Sequence, residues 1–514
     1  MGGPPGLTWR PARGPKAGVC GIAGALGLGP EVPAIEVGQR MARALRHRGP
    51  DHVATHALPP SGVLAHSRLR VIDLSDAADQ PLWSDDGQVA LVYNGEIYNF
   101  RELRRELEER GHRFRTRSDT EVVLRLYEEG GAEALTRLDG MFALAIHDGR
   151  AGELILMRDR AGKKPLVYVE LPGGGFAFAS EIKALAQVPG FEVEPDWSRL
   201  PELLTFGYVS TPASFVRGVR RVEPGCQLKW STGQGVRARR YWSLPEPGLQ
   251  PITRSVDEAK RLVRDAVRAA VRKRLVADVP MGAFLSGGID SSVVVAEMAE
   301  ASSNRVRSFA AGFPDDASFD ETPAARLVAE RFDLEHRELH VRLSPLDLLE
   351  KLLWHHDEPY GDSSAVALYG ISQLTREHVT VVLSGDGGDE LFGGYTRFLG
   401  GLLSSRVPNP LLRLGGEVLD RLPEPKGYKN PLALARRFTE YAARDPDEQL
   451  LAWNAYFAGP ALARLLRPEA VENAFDPWAV MAPQSQLLKA AASQGADRLD
   501  QILRHNFATY LLDD

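Results

Sequence analysis

Cysteine is almost missing from this chain: Cys20 and Cys226 are the only two in 514 residues. That excludes a zinc site built on cysteine and a disulfide scaffold. Long apolar runs are missing as well. None approaches the roughly 18 residues that span a bilayer, and the opening stretch MGGPPGLTWRPARGPKAG lacks the apolar centre of a secretory signal. Nor does one sign of charge prevail. The 62 basic and 68 acidic residues leave a net −6, no bulk reason to expect nucleic acid or an anionic membrane as partner. There is no internal repeat. What remains is the composition of a soluble globular protein, long enough for two or three domains. A reducing, cytoplasmic setting is the default expectation.

The first half alternates short strands with helices. In QVALVYNGEIYNF a strand, Val89 to Tyr93, is expected to stop at Asn94-Gly95, the strongest short turn dipeptide. Asn99 with Glu102, and Ser118 with Glu121, read as capping boxes opening two helices, closed by Gly111 and by Gly130-Gly131. Strand-like runs follow in GMFALAIHD, ELILMRD and GGFAFASEI. Together they predict an α+β sandwich.

Singly, each polar residue here has a bland reading. Asp119 sits in a first helical turn, where the dipole alone favours it; Arg68 could be a surface arginine, and Cys20 buried filler. The ordered series is different: CGIAG, RHRGPD, RLRVIDLS, QP, YNGEIYN, SDTE, GMFA, RDRAGKKPL and ASEIKAL, all between residues 20 and 185. It resembles the glutaminase domain of glutamine-hydrolysing asparagine synthetases, which are N-terminal-nucleophile amidotransferases. The resemblance implies Cys20 as nucleophile, with its own α-amine as base. It implies that Asn94 and Gly95 hold the oxyanion, that Arg68 pairs with the glutamine carboxylate, and that Glu96 and Asp119 fix its ammonium. The backbone of Arg68, Leu69, Arg70, Val71 and Ile72 would complete the pocket.

An amine locked in a peptide bond cannot act as a base. Residues 1–19 are therefore expected to be a disordered or mis-assigned leader, with Val19 as the true initiation codon, or else a cleaved propeptide.

A Pro-rich break, SLPEPGLQPITRS (243–255), marks a linker. Beyond it, RSVDEAKRLVRDAVRAAVRKRL predicts a long amphipathic helix, and VPMGAFLSGGIDSSVVVAEMAE a strand, glycine turn and helix. VRSFAAGF and HVTVVLSGDGGDELFGGY supply two more strands. Glycines and acids at strand ends imply a doubly wound parallel sheet, and glycine-turn N–H groups at a helix start suit phosphate. No Walker lysine is present. SGGIDSS resembles the pyrophosphate loop of ATP pyrophosphatases, and SGDGGDELFGGY narrows this to asparagine synthetases.

The resemblance implies that Leu285, Ala311, Ser384 and Gly385 contact ATP and that Ser286, Gly287, Gly288, Ser291 and Ser292 cradle its pyrophosphate. Asp290 and Asp389 would hold Mg2+, Asp386 would serve adenylate formation, and DEPYGDSS (357–364) would line the acceptor pocket. LLTFGYVSTPASF (203–215) is a candidate route between the sites.

The expected architecture is thus a leader (1–19), an α+β sandwich of the N-terminal-nucleophile type (20–210) and a connection (211–255). An α/β ATP-pyrophosphatase domain with a helical C-terminal part follows (256–514). The family pattern continues beyond the equivalent of Asp514, so truncation of the chain is expected. The implied activity converts glutamine, aspartate and ATP to asparagine, glutamate, AMP and pyrophosphate. Another carboxylate acceptor, or a noncatalytic remnant, are the alternatives. A homodimer is the base-rate expectation.

Overall fold

The computed structural model describes residues 19–247, 255–313, 320–342, 345–404, 406–422, 430–441, 444–466 and 476–513. Most of the expected leader and residues 248–254 of the linker lie outside these.

Twelve strands form two facing antiparallel sheets. They are β1 (Gly21–Leu26), β2 (His52–Leu58), β3 (Gly62–Arg68), β4 (Leu82–Trp83), β5 (Val89–Ile97), β6 (Gly140–Asp148), β7 (Glu153–Arg158), β8 (Val167–Glu170), β9 (Phe176–Ala179), β10 (Arg220–Arg221), β11 (Cys226–Ser231) and β12 (Gly235–Arg240). One sheet runs β10-β8-β9-β1-β3-β2 and the other β12-β11-β7-β6-β5-β4.

Strand periodicity explains the layering. On β5, Ala90 and Val92 enter the core between the sheets, while Val89, Leu91 and Tyr93 pack outward under the helices Phe100–Glu109 and Asp119–Ala134. On β1, Ile22 and Leu26 face the central core while Ala23 and Ala25 face the helix Ala34–Ala44. Helices cover both outer faces, so both faces of the central strands are apolar and the sandwich has four layers.

Three local expectations are corrected. Asn94-Gly95 is not a turn: β5 continues to Ile97, with Asn94 opposite Ala143 and Gly95 opposite Phe142. A Cβ on Gly95 would lie 2.2 Å from the Met141 carbonyl oxygen, so the glycine serves strand contact rather than chain reversal. Neither capping box closes as drawn. Asn99 instead reaches the next loop, donating to Arg137 O and accepting from Asp139 N–H, while Glu121 accepts from the Arg115 and Thr116 N–H groups and only Ser118 caps. Finally, the sandwich runs past residue 210. β11 pairs with β7, and Leu228 and Trp230 join the central core.

The second half is built on four parallel strands, β13 (Met281–Phe284), β14 (Arg307–Gly312), β15 (Glu335–His340) and β16 (Val381–Leu383), in the order β15-β14-β13-β16. The chain steps from β13 to β15 on one side and returns to β16 on the other. This places a topological switch point between β13 and β16, where a ligand crevice opens at strand C-terminal ends. The predicted amphipathic helix is Val256–Lys273, docked on the sandwich by Lys273 to Asp139 (2.6 Å). A helical region follows, its core made of Phe398, Leu450, Leu451, Met481, Leu488 and Ile502. Phe206 and Tyr208, from the segment joining the two halves, enter that same core.

Candidate active sites

Cys20 lies at the mouth of the sandwich, immediately before β1. Its Sγ accepts from Leu69 N–H at 3.4 Å, and Arg48 Nε donates to its carbonyl oxygen at 3.0 Å. Burial pushes the thiol up; the Leu69 N–H and the cations Arg68, Lys164 and Arg48 oppose that rise. Such a thiol needs a base to become a nucleophile.

Of the other residues the sequence singled out, Asn94, Gly95 and Glu96 lie on β5 and Asp119 opens the helix Asp119–Ala134. Asn94 is buried, and its Nδ2 has no hydrogen-bond partner among the described residues. A buried unsatisfied amide donor is costly, which suits a group kept for a ligand oxygen. Glu96 is buried as well, its Oε1 unpartnered, and burial with help from Asp119 lifts its carboxyl from an ordinary 4.5 to about 7. Asp119 is held rigidly, accepting from Tyr93 OH (2.8 Å) and Ile97 N–H (2.9 Å). Burial raises its carboxyl too. Lys164 and Arg274 only partly oppose the rise at Glu96, and two neighbouring buried carboxylates suit an ammonium group.

Arg68 is placed here but otherwise engaged. Its Nη1 donates to Asp79 (2.5 Å) and Ser75 O (2.8 Å), and its Nη2 to Asp73 O (2.5 Å). The guanidinium therefore braces the 72–75 turn, and Arg70 pairs with Asp76 and Asp79. The same turn touches the second half: Val71 O accepts from Asp278 N–H and Asp73 N–H donates to the Asp278 carboxylate.

The second constellation sits at the switch point. Leu285 is buried at the end of β13, its N–H bonded to Phe309 O. Ser286 and Ser291 hydroxyls lie 3.0 Å apart, Gly288 N–H donates to Ser286 Oγ, and Ser292 N–H to Gly288 O. Loop and helix start are thereby tied into one turn. The β16 loop closes over it: a Cβ on Gly385 would come within 2.8 Å of Ser291 N, and one on Gly388 within 2.4 Å of Asp290 Cγ. Burial and the nearby Asp389 raise the Asp290 carboxyl. Ser384 Oγ donates to Asp386 at 2.7 Å. Ala311 lies near the end of β14, one strand away. Among the described residues no three His, Cys, Asp or Glu side chains could hold a metal by themselves.

The structure thus brings Cys20 to Leu69 and Arg68, Glu96 to Asp119, and Asp290 and Ser291 to Gly385 and Gly388, with the 203–215 segment against both halves. Gly361 N–H donates to Gly207 O at 2.8 Å, and Arg221 pairs with Glu358 at 2.5 Å. The sequence reading gave no role to Arg48, Asp79, Lys164, Lys183 or Arg221. Arg48, Lys164 and Lys183 lie inside RHRGPD, RDRAGKKPL and ASEIKAL, so motif membership was their only signal.

Residues 19–242 match the family model "Glutamine amidotransferase domain" and residues 262–514 the model "Asparagine synthase". A Methanocaldococcus jannaschii protein named "Putative asparagine synthetase (glutamine-hydrolyzing) 2" is 32% identical, over 95% of this chain and 94% of its own length. The chain belongs to the glutamine-hydrolysing asparagine synthetase family.

Within that synthetase family, "Asparagine synthetase (glutamine-hydrolyzing) 1" of Bacillus subtilis is 34% identical over 79% of this chain. The similarly named Mycobacterium bovis protein is 38% identical over 75%. The chain spans 64% and 61% of the length of those two relatives. Among solved structures, the Bacillus subtilis glutamine phosphoribosylpyrophosphate amidotransferase covers 65% of this chain and 70% of its own, at 19% identity and a TM-score of 0.34. That overlap is too low to carry an argument. No helix among the described residues is long and apolar enough to cross a membrane.

Proposed function

We propose that this chain releases ammonia from glutamine at Cys20 and passes it to the side-chain carboxyl of aspartate, activated by ATP as an acyl-adenylate. The observation that carries the reading is one chain holding two unlike sites. One has a thiol beside an unpartnered buried amide and two buried carboxylates. The other has a serine–glycine turn closed by an acidic loop at a parallel-sheet switch point.

At the first site, a free α-amine on Cys20 takes the Sγ proton and the thiolate attacks the glutamine side-chain amide. Asn94 Nδ2 and the Gly95 N–H hold the resulting oxyanion; each such donor is worth about 3 kcal/mol. Glu96 and Asp119 receive the substrate ammonium, and the Arg68 region its carboxylate. The amine returns its proton to the departing nitrogen, ammonia leaves, and water hydrolyses the thioester to glutamate.

At the second site, the 286–292 turn carries the phosphates of ATP and Leu285 and Ala311 its nucleoside, with Ser384 and Gly385 alongside. The aspartate carboxylate attacks the α-phosphorus, pyrophosphate departs, and ammonia then displaces AMP to give asparagine. Asp290 and Asp389, two carboxylates near one another with Asp290 raised by burial and then by Asp389, fit a Mg2+ ion shared with the phosphates, which would neutralise the leaving pyrophosphate. Asp386, which accepts from Ser384, would serve as a positioning acid for adenylate formation. A homodimer remains part of this reading as a base-rate expectation.

The test is a single incubation of protein whose N-terminal residue is Cys20 with amide-15N glutamine, ATP, Mg2+ and aspartate, read by mass spectrometry. Labelled asparagine with matching glutamate, AMP and pyrophosphate is expected. Glutamate without AMP would leave only the glutaminase half of the proposal standing. AMP released with other carboxylic acids but not aspartate would reassign the acceptor.

A further inference from the structure

Lys183 is among the most enclosed charges in the protein. It lies in the short helix Ile182–Leu185 after β9, on the sandwich side of the domain interface, with its side chain 3% exposed. A buried ammonium needs partners on every side. From its own domain it has Glu181, with Nζ 2.5 Å from Oε2. From the ATP-binding half it has Asp357, with Oδ1 at 2.8 Å, and the face of Trp354, whose ring centroid is 4.5 Å away. The nearby Lys183 charge and hydrogen bonds from Lys183 oppose the rise that burial and Glu181 impose on the Asp357 carboxyl.

The Glu181 carboxylate continues the chain of contacts. It accepts from Arg48 Nη1 at 2.6 Å and lies 3.0 Å from His47 Nε2. Arg48 in turn donates through Nε to the carbonyl oxygen of Cys20. On the far side, Asp357 has a left-handed backbone, φ 66°, unusual for a residue with a Cβ. The next residue, Glu358, pairs with Arg221 of the sandwich half. Two successive carboxylates of the acceptor-side loop are thus each clamped by a cation from the glutaminase half.

We infer that Lys183 is a positioning residue for glutamine hydrolysis: its ion pair with Asp357 across the domain interface fixes Cys20 through Glu181 and Arg48. The placement of the nucleophile therefore depends on a carboxylate of the ATP-binding half. This inference rests on the glutaminase reading of Cys20 given above. It adds that the site is completed from outside its own domain.

The experiment compares glutamate release by wild type, K183M, K183R and D357N, each with Cys20 as its free N-terminal residue and the rest of the chain intact, with hydrogen exchange on the same four proteins. K183M and D357N should each lower kcat about tenfold, the cost of a sub-ångström misplacement. KM for glutamine should stay within about twofold, because neither residue touches the substrate-binding pocket. K183R should recover most of the rate. The double variant K183M/D357N should be no slower than the worse single, since both changes remove one interaction. Amides of residues 20–24 and 354–360 should lose protection together in either single variant.

D357N with wild-type kinetics and unchanged exchange at 20–24 would overturn the inference and reduce Lys183 to a partner of Glu181 alone. A general loss of folding would show as exchange throughout the sandwich and as failure of K183R to rescue, which also counts against it. If wild type releases no glutamate, the reading of Cys20 falls, and the exchange result alone decides whether the interface pair controls the Cys20 strand.

Discussion

Glu96 offers a quantitative handle on the glutaminase site. In the unliganded protein its carboxyl titrates near pH 7 because burial, aided by Asp119, disfavours the ionised form. Only the ionised form attracts an ammonium group. On passing below pH 7, kcat/KM for glutamine should therefore fall toward tenfold per pH unit, through KM rather than kcat. The same displacement has a stability side. A carboxyl raised from 4.5 to about 7 binds its proton more tightly folded than unfolded. Its favourable contribution is complete below pH 4.5 and is lost as pH rises through 7. The full loss is about 3 kcal/mol.

Glu96→Gln removes the titration while keeping the shape. It should raise KM for glutamine ten- to hundredfold, on the order of the 1.5–3 kcal/mol carried by a charged hydrogen bond. It should also flatten the pH dependence of KM between 6 and 7 and raise the melting temperature at pH 8. The α-amine of Cys20 titrates close by, near 8 in an unperturbed terminus, so the variant is needed to separate the two. A glutaminase assay from pH 5.5 to 8.5 on both proteins, with calorimetry at pH 5 and 8, tests the argument. An unchanged bend in the KM profile of E96Q, or greater wild-type stability at pH 8 than E96Q, would refute it.

Other outcomes follow from the same geometry. Asn94→Ala should cut kcat for glutamine hydrolysis about a hundredfold or more with little change in KM, read by steady-state glutamate release. Gly388→Ala would put a Cβ 2.4 Å from Asp290 Cγ; it should abolish ATP binding by calorimetry while glutamate release persists. Arg68→Lys cannot reproduce the fork to Asp79, Ser75 O and Asp73 O. Thermal unfolding should show a loss of about 2–4 kcal/mol for this buried network, together with weaker glutamine binding.

Much of this architecture could be read from local pattern. The β13 turn and β16 loop announce themselves because glycines and hydroxyls at strand ends have few other uses, and the structure brings Ser291, Asp290, Gly385 and Gly388 together. The residues proposed for the glutaminase site stand out only as an ordered series. Asn94-Gly95 was misread as a turn because the dipeptide preference is strong locally. What overrides it is a partner, β6, more than forty residues away, whose Gly140 and Met141 supply a matching close approach. The three sandwich strands after residue 210 were missed for a similar reason: CQLKWS alternates, but its burial depends on β7. Charge pairing across the interface is harder still. Nothing local in ASEIKAL says that its lysine will meet an aspartate 174 residues later, because that contact belongs to domain docking.

The placement of Phe206 and Tyr208 changes what counts as a transplantable module. The two family models divide the chain at residues 242 and 262, an inviting crossover for chimaeras between relatives. Yet the aromatic pair, upstream of that cut, fills the core of the helical region downstream of it, while Gly207 meets Gly361 backbone to backbone. A hybrid joined there would ask one parent's hydrophobic interior to accept the other's plug. Residues 203–215 form a tenon cut for its own mortise, and recombination would have to carry them with residues 361–510, even though the chain returns to the sandwich afterwards.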